Sequence, residues 1–70
     1  MNKNTRIENL RDGYYRIWHD GRDIGDVSRV GRGQWRSMPS VDGVPLPRSS
    51  HCTHTTRRDA IEWLILDERH

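Results

Sequence analysis

Arginine dominates the chemistry available to this chain. Between Ser28 and Arg58 lie Arg29, Arg32, Arg36, Arg48, Arg57 and Arg58 against a single acid, Asp42, whereas Glu62, Asp67 and Glu68 follow close behind. The middle of the chain is therefore basic although the formal net charge is only +2. Eleven of the twelve basic residues are arginine, whose planar fork meets phosphate or carboxylate in a bidentate way that lysine cannot. Interleaved aromatic and amide residues, Tyr14, Trp18 and Gln34, add groups that stack on sugars or read adenine edges. Arginine with aromatics and glutamine suits a nucleic-acid contact, although the same residue types also serve protein hot spots.

Other constellations point elsewhere and carry less. His51-Cys52-Thr53-His54 holds metal-ligand types, but a structural zinc site takes four ligands in spaced pairs, and adjacent His-Cys is not such a pair. Cys52 beside His51 or His54 invites a nucleophile reading, yet neighbours on a strand point to opposite faces and no oxyanion-hole motif accompanies them. Asp20, Asp23 and Asp26 lack the glycine and terminal glutamate of a calcium loop, so they read as turn and surface residues. Pro45-Leu46-Pro47-Arg48 has the form of a minimal polyproline ligand, a pattern common in plain loops. No catalytic motif is present, so the expectation is a non-enzyme without cofactor or metal.

These side chains need elements to position them. Asp12-Gly13, Asp20-Gly21 and Gly31-Arg32-Gly33 recur at the spacing of hairpin turns in an antiparallel meander. Between and after them, 14–19, 22–30 and 34–38 read as three strands. Alternation puts Tyr15 and Ile17 on one face and Tyr14, Arg16 and Trp18 on the other. Ile24 and Val27 differ in parity, and a bulge at Gly25 would bring both inward. Trp35 points in, with Gln34 and Arg36 pointing out.

Three prolines within 39–50 make that stretch a loop with a turn at Asp42-Gly43, and 51–54 reads as a last short strand. Thr56 followed by Asp59 has the form of a cap, and Ala60, Ile61, Leu64 and Ile65 follow at helical spacing, predicting a helix over about 57–68 with Trp63 at its margin. Arg57 and Arg58 occupy its first turn, where the helix dipole disfavours cations and an anion such as Asp59 or a ligand would offset them. Residues 1–12 read as a strand or a flexible lead-in, the strand being preferred.

The expected fold class is α+β: a small antiparallel three- to four-stranded β-meander with one C-terminal α-helix packed on one face, residues 13–70 forming a single β-β-β-α domain. Seventy residues, 31% of them apolar and 31% charged, support one small core worth only about 3–5 kcal/mol net, so a homodimer or a bound partner would add stability. No apolar run of membrane-spanning length exists, and the polar start Met1-Asn2-Lys3-Asn4 does not resemble a signal peptide. The single Cys52 agrees with a reducing cytoplasm.

From Gly13 to Leu64, the strand, Asp-Gly turn, strand, Gly33-Gln34-Trp35-Arg36 strand and closing Thr56-Arg57-Arg58-Asp59-Ala60 helix resemble small uncharacterised actinobacteriophage and actinobacterial β-meander-plus-helix proteins. Residues 30–64 more weakly resemble AP2 and integrase-arm DNA-binding domains, in which three strands lie in the major groove. That resemblance implies contacts from Arg29, Arg32, Gln34 and Arg36. The chain departs from it at Cys52, Thr53 and His54, where an aromatic normally stands, and in the added Pro-rich loop. The resulting expectation is a phage-type accessory protein that binds nucleic acid, duplex DNA above all, through Arg16, Trp18, Arg29, Arg32, Gln34 and Arg36. The alternative is a module that binds a host protein through the Tyr14 and Trp18 face or the Pro-rich loop.

Overall fold

The computed structural model describes residues 4–66; Met1-Asn2-Lys3 and the final helical positions expected at Asp67 and Glu68 lie outside them. Six strands, β1 (Thr5–Arg11), β2 (Tyr14–His19), β3 (Arg22–Gly31), β4 (Gln34–Val41), β5 (Val44–Pro45) and β6 (Cys52–His54), precede one helix, α1 (Arg57–Leu66). The class is the α+β one expected, but the sheet has more strands than three or four. The excess has two sources. Residues 5–11 pair along β2 and belong to the same sheet. The Pro-rich stretch also folds back at Asp42-Gly43, giving β5, and passes through a 3-10 turn at Arg48–Ser50 into β6.

The strands run in the order β1-β2-β3-β4, all antiparallel, and both β5 and β6 use the far edge of β4. Two different turn chemistries hold the meander. At Asp20-Gly21 and Asp42-Gly43 all four residues have positive φ (52°, 78°, 51° and 84°), the mirror-image turn whose twist matches antiparallel strands and that Asp-Gly tolerates. At the opposite end, the turns at Asp12-Gly13 and Arg32-Gly33 are each preceded by a register shift that leaves Leu10 and Val30 unpaired and exposed.

Parity came out as the alternation predicted. Ile17 is fully buried beneath α1, Tyr15 and Trp35 pack at the margin of the same cluster, and Tyr14, Arg16 and Trp18 occupy the opposite face. The cluster consists of Ile17, Ile24, Val27, Ala60, Ile61 and Leu64, each large aliphatic member contributing roughly 1.5–3 kcal/mol by leaving water. Ile24 joins Val27 through the expected bulge, since Ile17 opposes Gly25 while Trp18 opposes Asp23, so Ile24 is the extra residue. Gly25, with φ 144°, lies under the helix, where an added Cβ would stand 2.5 Å from the Met38 carbonyl oxygen and 3.1 Å from Leu64.

Thr56 caps α1: its Oγ1 accepts the Asp59 N–H at 3.1 Å. The helix rests chiefly on β3, β4 and β6, and β1 reaches the cluster beneath it through Ile7, which packs against its margin. On β4, fully buried Ser37 gives its hydroxyl proton to the Cys52 carbonyl at 3.3 Å and lies 3.0 Å from His54 Nε2. That hydroxyl is satisfied when a neutral His54 carries its proton on Nε2 and donates to Ser37. Burial holds His54 below the usual histidine range, partly opposed by Asp59. Among the described residues no helix is long and apolar enough to cross a membrane.

Candidate nucleic-acid interface

Hairpin connectivity decides which arginines meet. In a meander the first and third turns lie at one end of the sheet, and α1 begins at that same end because β6 enters it alongside Trp35. Arg11, Arg29, Arg32, Arg36, Arg57 and Arg58 therefore share one end. That end also holds Asp12 and Asp59, while the other carries Asp20, Asp23 and Asp42 against Arg6 and Arg22. The molecule is electrically polarised along its strands.

At the basic end one cross-strand row on the face away from α1 reads Arg11, Tyr14, Ser28, Arg36 and Thr53. Arg11 lies over the Tyr14 ring at 5.0 Å. On the helix side Arg29 opposes Trp35, and Arg57 lies 5.0 Å over Tyr15, a cation-π contact that helps hold a guanidinium at the positive end of a helix. Arg58 pairs instead with Glu62 one turn on, at 3.5 Å. Arg32 projects from the turn and is exposed. Beside this end a groove of about 560 Å³ is lined by Arg36, Arg48, His51, Cys52 and Thr53, and a smaller one of about 290 Å³ by Gln34, Thr53, His54 and Thr55. His51 Nδ1 is buried beside the larger groove without a hydrogen-bond partner.

The six residues singled out from sequence thus divide. Arg32, Gln34 and Arg36 gather at the basic end. Arg29 is there too, but faces the helix side rather than the open face, because it shares the parity of Val27. Arg16 and Trp18 lie farther along the open face and are engaged by it. Arg16 Nε is 3.5 Å from Asp23 Oδ2 and from Asp26 Oδ1, within ion-pair reach although neither carboxylate meets it in hydrogen-bond alignment. Tyr14 donates to Asp26 at 3.0 Å, and its phenol is pushed above the usual range by burial and by that carboxylate. Asp23 is likewise pushed up by burial, opposed by the N–H of Gly25 and by Arg16. Trp18 donates Nε1–H to Glu8 at 3.0 Å and lies under the Arg6 guanidinium, 5.2 Å away. The middle of the open face is consequently a mosaic of two arginines, Arg6 and Arg16, against three carboxylates, Glu8, Asp23 and Asp26, rather than a cationic surface.

Sequence reasoning missed Arg11 and Arg57 as members of the group. The signal was present: Arg11 precedes an Asp-Gly turn, and turn parity along a meander puts it beside Gly31–Gly33. Of the acidic residues, Asp20 takes the turn role expected of it, whereas Asp23 and Asp26 lie half-buried on β3 beside Arg16. Asp23 accepts the Gly25 N–H at 3.1 Å, and Asp20 lies 3.5 Å from His19. No group of three or more His, Cys, Asp or Glu converges on a point among the described residues. A Thr5-His19-Asp20 chain (3.1 Å and 3.5 Å) has the outline of a triad, but it joins His19 Nδ1 to Thr5 at the end of a strand pair and lines none of these grooves. Compared with protein-family models, curated proteins and solved structures, the chain matches none.

Proposed function

We propose that this chain binds nucleic acid, preferably duplex DNA, end-on through its arginine-rich end, as a small accessory protein of the phage type its sequence resembles. The observation that carries the reading is the convergence of Arg11, Arg29, Arg32, Arg36 and Arg57 on one end, with Arg58 already paired to Glu62 and the excess carboxylates at the other. Guanidinium groups on both faces of the sheet and on a projecting turn suit the two phosphate walls of a groove. Gln34, exposed beside the Arg32 turn, is the group aimed at base edges. Arg16 and Trp18 serve here as framework, holding the open face flat.

Fluorescence anisotropy with a labelled duplex across a salt series tests this. Affinity should fall with a log–log slope of roughly 0.9 per phosphate neutralised. Arg32→Ala combined with Arg36→Ala should weaken binding and flatten that slope, whereas Arg16→Gln should change neither. Binding that is absent at low salt, or equally sensitive to Arg16, would remove the proposal.

A second reading rests on a separate observation. The Arg6–Trp18 and Arg11–Tyr14 stacks tile the open face with aromatic and guanidinium surface whose polar tips are already paired, a composition typical of protein hot spots. A partner from bacterial lysate that is retained after nuclease treatment and lost on Trp18→Ala would favour a host-protein contact.

A further inference from the structure

The outer edge of β1 is open: no strand of the described residues pairs with it. The direction of its backbone groups follows from two hydrogen bonds. Asp20 N–H donates to the Asn4 carbonyl (3.2 Å), and Arg29 N–H donates to the Gly13 carbonyl (2.8 Å). In an antiparallel ladder hydrogen-bonded and non-hydrogen-bonded pairs alternate. With Thr5 opposite His19 and Tyr14 opposite Ser28, Arg6 and Glu8 turn their main-chain groups toward β2. Thr5, Ile7 and Asn9 turn theirs outward. By the same alternation β6 presents only Thr53 outward, so β1 is the one edge long enough to template another strand.

We infer that β1 pairs with β1 of a second copy of this chain, antiparallel about a two-fold axis through Ile7. Charge selects both the occupant and the register. Ile7 opposes the partner's Ile7, Thr5 opposes the partner's Asn9, and Arg6 opposes the partner's Glu8 twice over, in the non-hydrogen-bonded pairs where side chains approach most closely. Shifting the register by one hydrogen-bonding step either way sets Arg6 against its own copy or Glu8 against its own copy. Charged residues on an edge strand ordinarily discourage pairing, but opposite signs flanking a central Ile make this edge complementary to itself. Arg6 and Glu8 already converge on Trp18, at 5.2 Å and 3.0 Å, so they are held on one face before a partner arrives. The product is a closed isologous dimer with one continuous sheet and both helices on the same side of it.

Sedimentation equilibrium of the full chain, free of nucleic acid and at low salt, reads the state directly. The expected result is a concentration-dependent rise from one 8.3 kDa chain to two. Arg6→Glu alone and Glu8→Arg alone should each remain monomeric at concentrations where the parent is dimeric. An equimolar mixture of the two variants should restore the dimer, as should the double exchange within one chain. Circular dichroism of each variant separates loss of assembly from loss of fold. A parent chain that stays monomeric to several hundred micromolar overturns the inference. So does a dimer that survives either single exchange, or two folded variants that fail to pair when mixed. Because no nucleic acid is present, none of these outcomes bears on the proposed function.

Discussion

Gly25 shows how much of this fold depends on a missing side chain. Its backbone lies in a region L-residues avoid, and an added methyl would stand 2.5 Å from the Met38 carbonyl oxygen and 2.9 Å from Pro39 Cα, backbone atoms that cannot swing aside. Gly25→Ala should therefore cost about 2–4 kcal/mol in urea unfolding, well beyond the ordinary single-substitution effect. A loss below about 1 kcal/mol would mean that the bulge is softer than this geometry requires. The position was legible in advance, because Ile24 and Val27 could reach one core only if a residue between them broke the alternation. What Arg16 does was not legible. Its cross-strand carboxylates become neighbours only once register is set, and Asp26 opposes Arg16 while Asp23 opposes Trp18 through that same bulge.

Among the elements, α1 was readable because its signals are local: the apolar spacing of Ala60, Ile61 and Leu64, and a threonine cap whose hydrogen bond spans three residues. Thr56→Ala should lower stability by about 1 kcal/mol in thermal melts. β5 and β6 were harder, since each is short and draws its identity from the edge of β4 rather than from its own composition. β6 also carries a pH dependence. His54 is held below its ordinary pKa of 6.5 by burial, so the unfolded chain binds its proton more readily than the folded one. Its contribution to stability is accordingly complete above about pH 6.5 and declines as the pH falls through the lower folded value. Denaturation midpoints measured from pH 7.5 down to 5 should fall for the parent and fall less for His54→Gln. Equal slopes for the two would locate the titrating group elsewhere.

On the scale of the molecule, the uneven charge has an orienting effect that net charge conceals. A phosphate-bearing partner attracts the Arg11, Arg32 and Arg36 end and repels the Asp20, Asp23 and Asp42 end, so the encounter is steered as well as strengthened. Removing part of that polarity with Asp20→Asn and Asp42→Asn, which keep the positive-φ turns, should raise overall attraction to DNA while reducing the penalty of Arg32→Ala, measured as the ratio of the two affinities. An unchanged ratio would mean that orientation contributes nothing. The placement of α1 over β3, β4 and β6 acts on the same scale. One flank of the sheet is clamped by the helix, while the flank formed by β1 is held by its ladder to β2 and by Ile7 alone against the core cluster. In deuterium uptake, the amides of Arg6 and Glu8 should therefore exchange through opening of that first hairpin, at a lower free energy than those of Asp26 and Ser28 between β3 and β4. At concentrations that keep it monomeric, the protein would thus lose its structure from one flank inward, as a ribbon peels from its free edge.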